Sequence, residues 1–227
     1  MIGFYDYTVI LTYLSLVSAS CGIMVALGGG GHPYIGTFFL LFCGLCDAFD
    51  GKVARTKKDR SQEERSFGVQ IDSLSDLVAF GVLPAAIGSA MLRRSTLMPL
   101  VYGTPWEKPL GVGLTAILIV YILAAMIRLA WYNVTEEERQ KTEDGVRKYY
   151  TGLPVTSSAL IFPVVLLLQY VIPADVTPVY FAAAVLCAAA FLSPFQIRKP
   201  GLRGVLILVG IGAVEFLLIL IGKILRH

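Results

Sequence analysis

The sequence predicts an all-α protein, a polytopic transmembrane helical bundle. Three observations carry that prediction. Of 227 residues, 56% are apolar and only 15% are charged, with a mean hydropathy of +0.71, which excludes an ordinary soluble domain. The apolar residues fall into runs of roughly the 20 residues a helix needs to cross a bilayer. Basic residues gather in alternate loops, the asymmetry expected when they stay on the cytoplasmic side.

The elements follow in order. A first span covers 8–28; the stretch before it, Met1 to Tyr7, has no Lys or Arg, so it reads as a retained helix and not a signal peptide. Gly28 to Gly31 with His32-Pro33 makes a tight turn into a second span at 34–55. A polar stretch, Thr56 to Ser66, precedes a third span at 68–92, and a fourth follows at 111–133. Thr135 to Tyr149 is too polar to enter the membrane. With Glu136, Glu137 and Glu138 after Thr135, it reads as a short cytoplasmic helix capped by Thr135. Spans at 153–172 and 177–195 are joined by a turn between Pro173 and Pro178, and a last span at 203–224 begins after Pro200-Gly201. Six spans with an interfacial final helix is the alternative. No repeat divides the chain, so 1–227 reads as one membrane-embedded domain.

The loop after the second span holds Arg55, Lys57, Lys58, Arg60 and Arg65. Those after the fourth and sixth hold Arg139, Lys141, Arg147 and Lys148, then Arg198, Lys199 and Arg203. Their alternation places the N-terminus and the adjoining helix ends in the cytoplasm. Arg93, Arg94, Lys108, Lys223 and Arg226 fall on the other side and fit less well. The spacer cations read as a solvated, positive-inside loop that attracts anionic lipid, with no nucleic-acid partner. Cys21, Cys43, Cys46 and Cys187 all lie in apolar runs. Cys43-Gly-Leu-Cys46 matches CxxC, but without a second pair it reads as small side chains at helix contacts.

The chemistry concentrates in Asp47-x-x-Asp50-Gly51-x-x-Ala54-Arg55 and Gly68-x-x-x-Asp72-x-x-x-Asp76. Carboxylates in apolar spans are costly and mark function by default. Residues three or four apart share a helix face, so Asp47 and Asp50 point together from one helix and Asp72 and Asp76 from the next. If the helices face each other, four carboxylates meet, and they require a neutralising cation. An oxygen-only set favours Mg²⁺ or Mn²⁺ over zinc. Gly51, Ala54 and Gly68 leave a smooth backbone surface one turn from the acids, and Arg55 suits a phosphate. Metal, carboxylate and phosphate together point to phosphoryl-type transfer. The bland alternative is a set of helix-end carboxylates paired with Lys52 and Arg55.

This pattern resembles the motif of the CDP-alcohol phosphatidyltransferases at every position. The spacer is longer, with twelve residues between Arg55 and Gly68 where eight is usual. Phe67-Gly68-x-x-x-Asp72-Ser73-Leu74-x-Asp76-Leu77-Val78-x-Phe80-Gly81 with Pro84, Arg128-Leu129-Ala130-x-Tyr132-Asn133 and Tyr150-x-Gly152-Leu153-Pro154 are similar to the branch of that family that acts on serine. The resemblance covers about residues 8–160. It implies a six-helix core, a homodimer, and transfer of a phosphatidyl group from CDP-diacylglycerol to L-serine, releasing CMP; the seventh apolar run adds one C-terminal helix, and the basic loops put the site at the cytoplasmic face. It also implies that Asp47, Asp50, Asp72 and Asp76 hold a divalent metal and that Asp76 is the general base. Asp47, Asp50, Gly51, Ala54, Arg55, Gly68 and Asp72 would bind the CDP-lipid. Serine carries a carboxylate, so its site needs a cation: Arg128, inside an apolar span, is the candidate, and Asn133 joins it as a serine-binding residue. For Arg128 the alternative is snorkelling to the interface. Glu215 lies deep in the last span with no evident partner. Competing readings are a different acceptor, glycerol 3-phosphate or an inositol phosphate, and a divalent-cation transporter.

Overall fold

A computed structural model describes residues 3–142, 149–198 and 202–225. The basic positions Arg147, Lys148, Lys199 and Arg226, and the end of the predicted 135–149 helix, lie outside the described residues. Helix α1 (Ile10–Leu27) and α2 (Pro33–Ala54) form the first hairpin. The third span is continuous through α3 (Gln62–Asp76), a π-helical stretch Leu77–Val82, and α4 (Leu83–Arg94). Then come α5 (Glu107–Thr142), β1 (Tyr149–Thr151), α6 (Ser158–Val171), α7 (Thr177–Leu192), β2 (Gln196–Arg198) and α8 (Leu202–Leu225). All seven predicted spans have helices at their positions. Five helical stretches are long and apolar enough to cross a membrane, and the shorter apolar helices 155–171 and 177–192 complete the set. The chain is an integral membrane protein.

One boundary differs. The predicted cytoplasmic helix is not separate, because α5 runs unbroken to Thr142. Thr135 is therefore no N-cap. Its hydroxyl donates back to the Trp131 carbonyl at 2.9 Å, as a hydroxyl inside a helix does. Helix propagation needs no new nucleus, so the Glu-rich turn extends the existing helix.

The π-helical stretch begins directly after Asp76. Leu83 N–H reaches the Val78 carbonyl five residues back. Pro84 has no N–H for the Phe80 carbonyl, which is buried. Tyr121 on α5 donates its hydroxyl to that oxygen at 2.6 Å, and Ser158 at the start of α6 donates at 3.3 Å. Tyr180 on α7 donates to the Pro84 carbonyl at 2.7 Å. Three helices thus converge on one irregular turn. Around it the core is aromatic: Phe162 stacks on Tyr180 at 4.6 Å between ring centres and meets Tyr121 edge-on at 5.5 Å.

Small residues allow close helix approach. A Cβ added at Gly22 would stand 2.7 Å from Phe39 Cβ, and one at Gly44 would stand 2.7 Å from Ala159 Cβ. A two-stranded antiparallel pair, Tyr149 to Thr151 against Gln196 to Arg198, ties the loop before α6 to the loop after α7. Gly152 follows it at φ +74°, with carbonyl oxygens of Phe191 and Ser193 within 3 Å of any added Cβ, so only glycine fits. Helix α8 lies on α2 and α6 through the Phe38–Phe216 edge contact at 4.8 Å and Gly212 against Leu160. Most of its surface is exposed and apolar.

Candidate active site

The four aspartates occupy two helices braced by a third. Asp47 and Asp50 lie in the last two turns of α2, and Asp72 and Asp76 in the last two turns of α3. Helix α1 packs on both, whereas α2 and α3 make little direct backbone approach. The brace uses hydrogen bonds to α1 carbonyls. The Cys43 thiol donates to Ser15 O at 3.3 Å, holding α2, and the Ser75 hydroxyl donates to Thr12 O at 3.1 Å, holding α3. The gap between α2 and α3 is where the carboxylates meet. Asp50 and Asp72 are within side-chain hydrogen-bonding reach of each other, and Asp47 faces Asp72. Asp76, 8% exposed, is close enough to feel all three. Asp50 also accepts the Gly51 N–H.

Among the described residues no ion pair to this cluster is seen. Among the described residues the ion pairs are Lys57 with Asp6 and Glu64, and Arg139 with Glu136. Lys52, two residues beyond Asp50, is turned to another face of α2. Its ammonium is buried over the Phe49 ring at 4.9 Å and has no hydrogen-bond partner. The pairing of the aspartates with Lys52 and Arg55 is therefore not observed. Unpaired neighbouring carboxylates in an apolar bundle supply the charge and the hard oxygen donors that a divalent cation takes. They are neighbours and not a finished cage, since among the described residues no three Asp, Glu, His or Cys side chains form a ready ligand set.

The glycines of the motif are less bare than their lack of side chains suggests. Arg55 caps α2 and folds back over Gly51, 3.5 Å from where a Cβ would stand. Arg60, from the spacer, lies across Gly68, where a Cβ would be 2.6 Å from its Nη2. The sequence alone placed Arg60 in a solvated loop. The signal available was the spacer's extra length, which lets the loop fold back over α3. Ala54, half-buried, ends α2 beside these residues.

Helix α5 reaches the site through Asn133, whose side-chain amide donates to the Ser73 hydroxyl at 2.7 Å, next to Asp72. Arg128, 5% exposed, does not snorkel. It donates through Nε to the Leu153 carbonyl at 3.3 Å and lies 5.6 Å from the Tyr132 ring centre. Arg93 and Arg94 are at the opposite end of the bundle, donating to the carbonyls of Leu27 and Gly31. Seventeen residues of α2, Pro33 to Phe49, lie between Gly31 and Asp50, ~25 Å of helix rise. A cavity of about 410 Å³ also opens at that remote end, between Tyr34, Arg94, Gln169 and Asp175, away from the aspartates. Glu215 is buried where α8 meets α2 and α6, with neither carboxyl oxygen hydrogen-bonded among the described residues.

The N-terminal segment packs against the spacer. Lys57 bridges Asp6 and Glu64 at 2.8 Å each. The Lys57 ammonium, then the Thr8 hydroxyl and N–H, hold the Asp6 carboxyl down at about 2, and the Asp6 and Glu64 carboxylates push Lys57 up.

The family model described as CDP-alcohol phosphatidyltransferase matches residues 8–195, which takes in α1 to α7 and leaves α8 outside. The chain is similar to the CDP-diacylglycerol–serine O-phosphatidyltransferase of Saccharomyces cerevisiae, 33% identical over 163 residues, covering 69% of this chain and 51% of the relative. It is also similar to the archaetidylserine synthase of Methanothermobacter thermautotrophicus, 30% identical over 148 residues (65% and 53%). A third relative is the CDP-diacylglycerol–serine O-phosphatidyltransferase of Mycobacterium tuberculosis, 27% identical over 150 residues (66% and 45%). The chain spans about half the length of the curated relatives it matches.

Proposed function

The chain belongs to the CDP-alcohol phosphatidyltransferase family, and from that premise we propose that it transfers a phosphatidyl group from CDP-diacylglycerol to L-serine, giving phosphatidylserine and CMP. The observation that carries this reading is that aspartates of α2 and α3 are neighbours at one end of the bundle, with no ion-pair partner among the described residues. The names of the relatives favour serine as the acceptor.

In this reading Asp47, Asp50, Asp72 and Asp76 hold Mg²⁺ or Mn²⁺, which when bound offsets the charge of the diphosphate and of the leaving CMP. Gly51, Ala54 and Gly68 line the nucleotide site, and Arg55 faces a phosphate. Asp76 accepts the proton of the serine hydroxyl. The serine oxygen bonds to the lipid-side phosphorus as that phosphorus parts from the oxygen bridging to CMP, and CMP leaves with the electron pair. Arg128 holds the serine carboxylate, and Asn133 keeps α5 registered on the helix of the base. The site faces the cytoplasm, where the basic spacer lies, and the protein works as a homodimer.

A phosphorylated acceptor, glycerol 3-phosphate or an inositol phosphate, is the second reading. It is favoured by one observation, the Arg60 guanidinium at Gly68, which adds a cation beside the motif. The experiment is CMP release from CDP-diacylglycerol in detergent, with Mn²⁺ or Mg²⁺ and a panel of alcohols. Serine-dependent release abolished by EDTA is expected. Release without serine, or only with glycerol 3-phosphate, rejects the serine assignment. A cation transporter would release no CMP.

A further inference from the structure

The long spacer between the two halves of the motif is tied down at both ends of Arg60. On one side Lys57 bridges Asp6 and Glu64. On the other, Ser61 and Glu64 form a complete capping box, each side chain taking the other's backbone N–H at 2.9–3.1 Å. Phe4 meets Phe67 edge-on at 5.5 Å, so the N-terminal segment also covers the spacer's far end. A loop that served only to connect two helices would not need these fastenings, two of which share Glu64.

What these fastenings present is the Arg60 side chain. Its Nη2 donates to the Glu64 carbonyl at 3.1 Å and lies across Gly68. Its Nε is buried and has no hydrogen-bond partner. A buried charged donor without an acceptor is costly, more so than a neutral one. A guanidinium offers five donors in a planar fork shaped for phosphate or carboxylate oxygens, and here only part of the fork is used by protein. Glu64, whose carbonyl Arg60 contacts, has its carboxylate engaged by Lys57 and the Ser61 N–H.

We infer that Arg60 is a positioning residue for the diphosphate of the CDP-lipid, delivered across Gly68 by the lengthened spacer. The inference rests on the functional reading above, in which Gly68 lines the nucleotide site. It assigns the extra cation to the donor substrate and not to a phosphorylated acceptor.

The test compares Arg60→Ala and Arg60→Lys with Lys58→Ala and Arg65→Ala, two exposed spacer cations, in purified full-length protein. CMP release is measured against varied CDP-diacylglycerol and varied serine, and CDP binding by calorimetry. Arg60→Ala is expected to raise the KM for CDP-diacylglycerol and weaken CDP binding about ten- to hundredfold, the loss typical of a charge-assisted hydrogen bond. The KM for serine should stay within about twofold, Arg60→Lys should recover part of the loss, and the two control variants should behave as the unaltered protein. A fall in kcat with unchanged KM, a shift in the acceptor KM instead, or an equal effect of Lys58→Ala overturns the inference. If the unaltered protein turns over CDP-diacylglycerol and Arg60→Ala does so with the same KM, only this inference falls. If the unaltered protein neither releases CMP nor binds CDP, the functional reading falls and takes the inference with it.

Discussion

Asn133 donates its side-chain amide to the Ser73 hydroxyl across 2.7 Å, joining α5 to the face of α3 that carries Asp72 and Asp76. The bond sets the separation between the helix proposed to hold serine and the helix proposed to deprotonate it. Losing it should lower kcat more than it raises either KM. A neutral hydrogen bond of this kind contributes about 1 kcal/mol, so Asn133→Ala and Ser73→Ala should each cost about three- to tenfold in turnover. In a double-mutant cycle the combined variant should be little worse than either alone. Full additivity would mean the pair does not act as a unit.

Asp76 and Asp50 should fail differently. Asp76→Asn removes the proposed base from its buried place at the head of the π-helical turn, so turnover should vanish while CDP binding with Mn²⁺ largely survives. Asp50→Asn removes a group that faces Asp72 across the gap and neighbours Asp47 on its own helix, so both turnover and CDP binding should fall. Equal loss of binding in the two variants would make Asp76 mainly a metal ligand.

Arg128 is buried beside the Leu153 carbonyl and Tyr132. Arg128→Ala should raise the KM for serine at least tenfold, the effect of losing one charge-assisted contact, and leave the KM for CDP-diacylglycerol within about twofold. Initial-rate kinetics with each substrate varied in turn decide this. Parallel changes in both constants would remove Arg128 from the serine site.

Tyr121→Phe should lower stability by about 1 kcal/mol, because the Phe80 carbonyl loses its 2.6 Å donor but keeps Ser158 at 3.3 Å. The cause of that dependence is Pro84. Pro84→Ala returns an N–H to the helix and should reduce the Tyr121→Phe penalty when the two are combined. Thermal melts in detergent read both effects, and a Tyr121→Phe penalty unchanged by Pro84→Ala would break the link.

Asp175 links the loop after α4 to the start of α7, accepting from the Ser95 hydroxyl at 2.5 Å, Thr96 N–H at 2.8 Å and Thr177 N–H at 2.9 Å. Burial pushes its carboxyl up, but these bonds outweigh it and hold the group at about 2, below its ordinary 3.8. A depressed carboxyl contributes stability that is complete above the unfolded value and is lost as pH falls through the folded one. The gap in melting temperature between unaltered protein and Asp175→Asn should therefore be constant above about pH 5 and narrow toward pH 2. Asp6 titrates in the same acid range but is common to both proteins and cancels. A gap independent of pH would show that the charge of Asp175 contributes nothing.

The seven spans could be read in advance because each is an apolar run punctuated by Gly and Pro, five of them folding into helical stretches long enough to cross hydrocarbon. The exception was instructive: Thr135 followed by three glutamates looks like a helix start, yet α5 passes through it, since a helix already under way needs no cap. The aspartates could be read because their spacing alone puts each pair on one helix face. Arg60 could not. A cation in a polar loop looks the same whether it faces water or folds over Gly68, and only the fastenings by Asp6, Lys57 and the Ser61–Glu64 box decide which. Ser73 and Ser75 were equally silent, being ordinary helix residues until Asn133 and the Thr12 carbonyl are brought beside them.

The amino-acid sequence by itself determined that this chain is a membrane bundle, where its spans lie, and which acids share a helix face, because these depend on local hydropathy and on the 3.6-residue period. The tertiary structure alone decided that α1 holds α2 and α3 apart with their carboxylates at the gap between them, that among the described residues no ion pair reaches them, and that an arginine from the spacer lies over the second glycine. Those facts depend on which side chains meet across helices distant in sequence, and no periodicity along the chain encodes that.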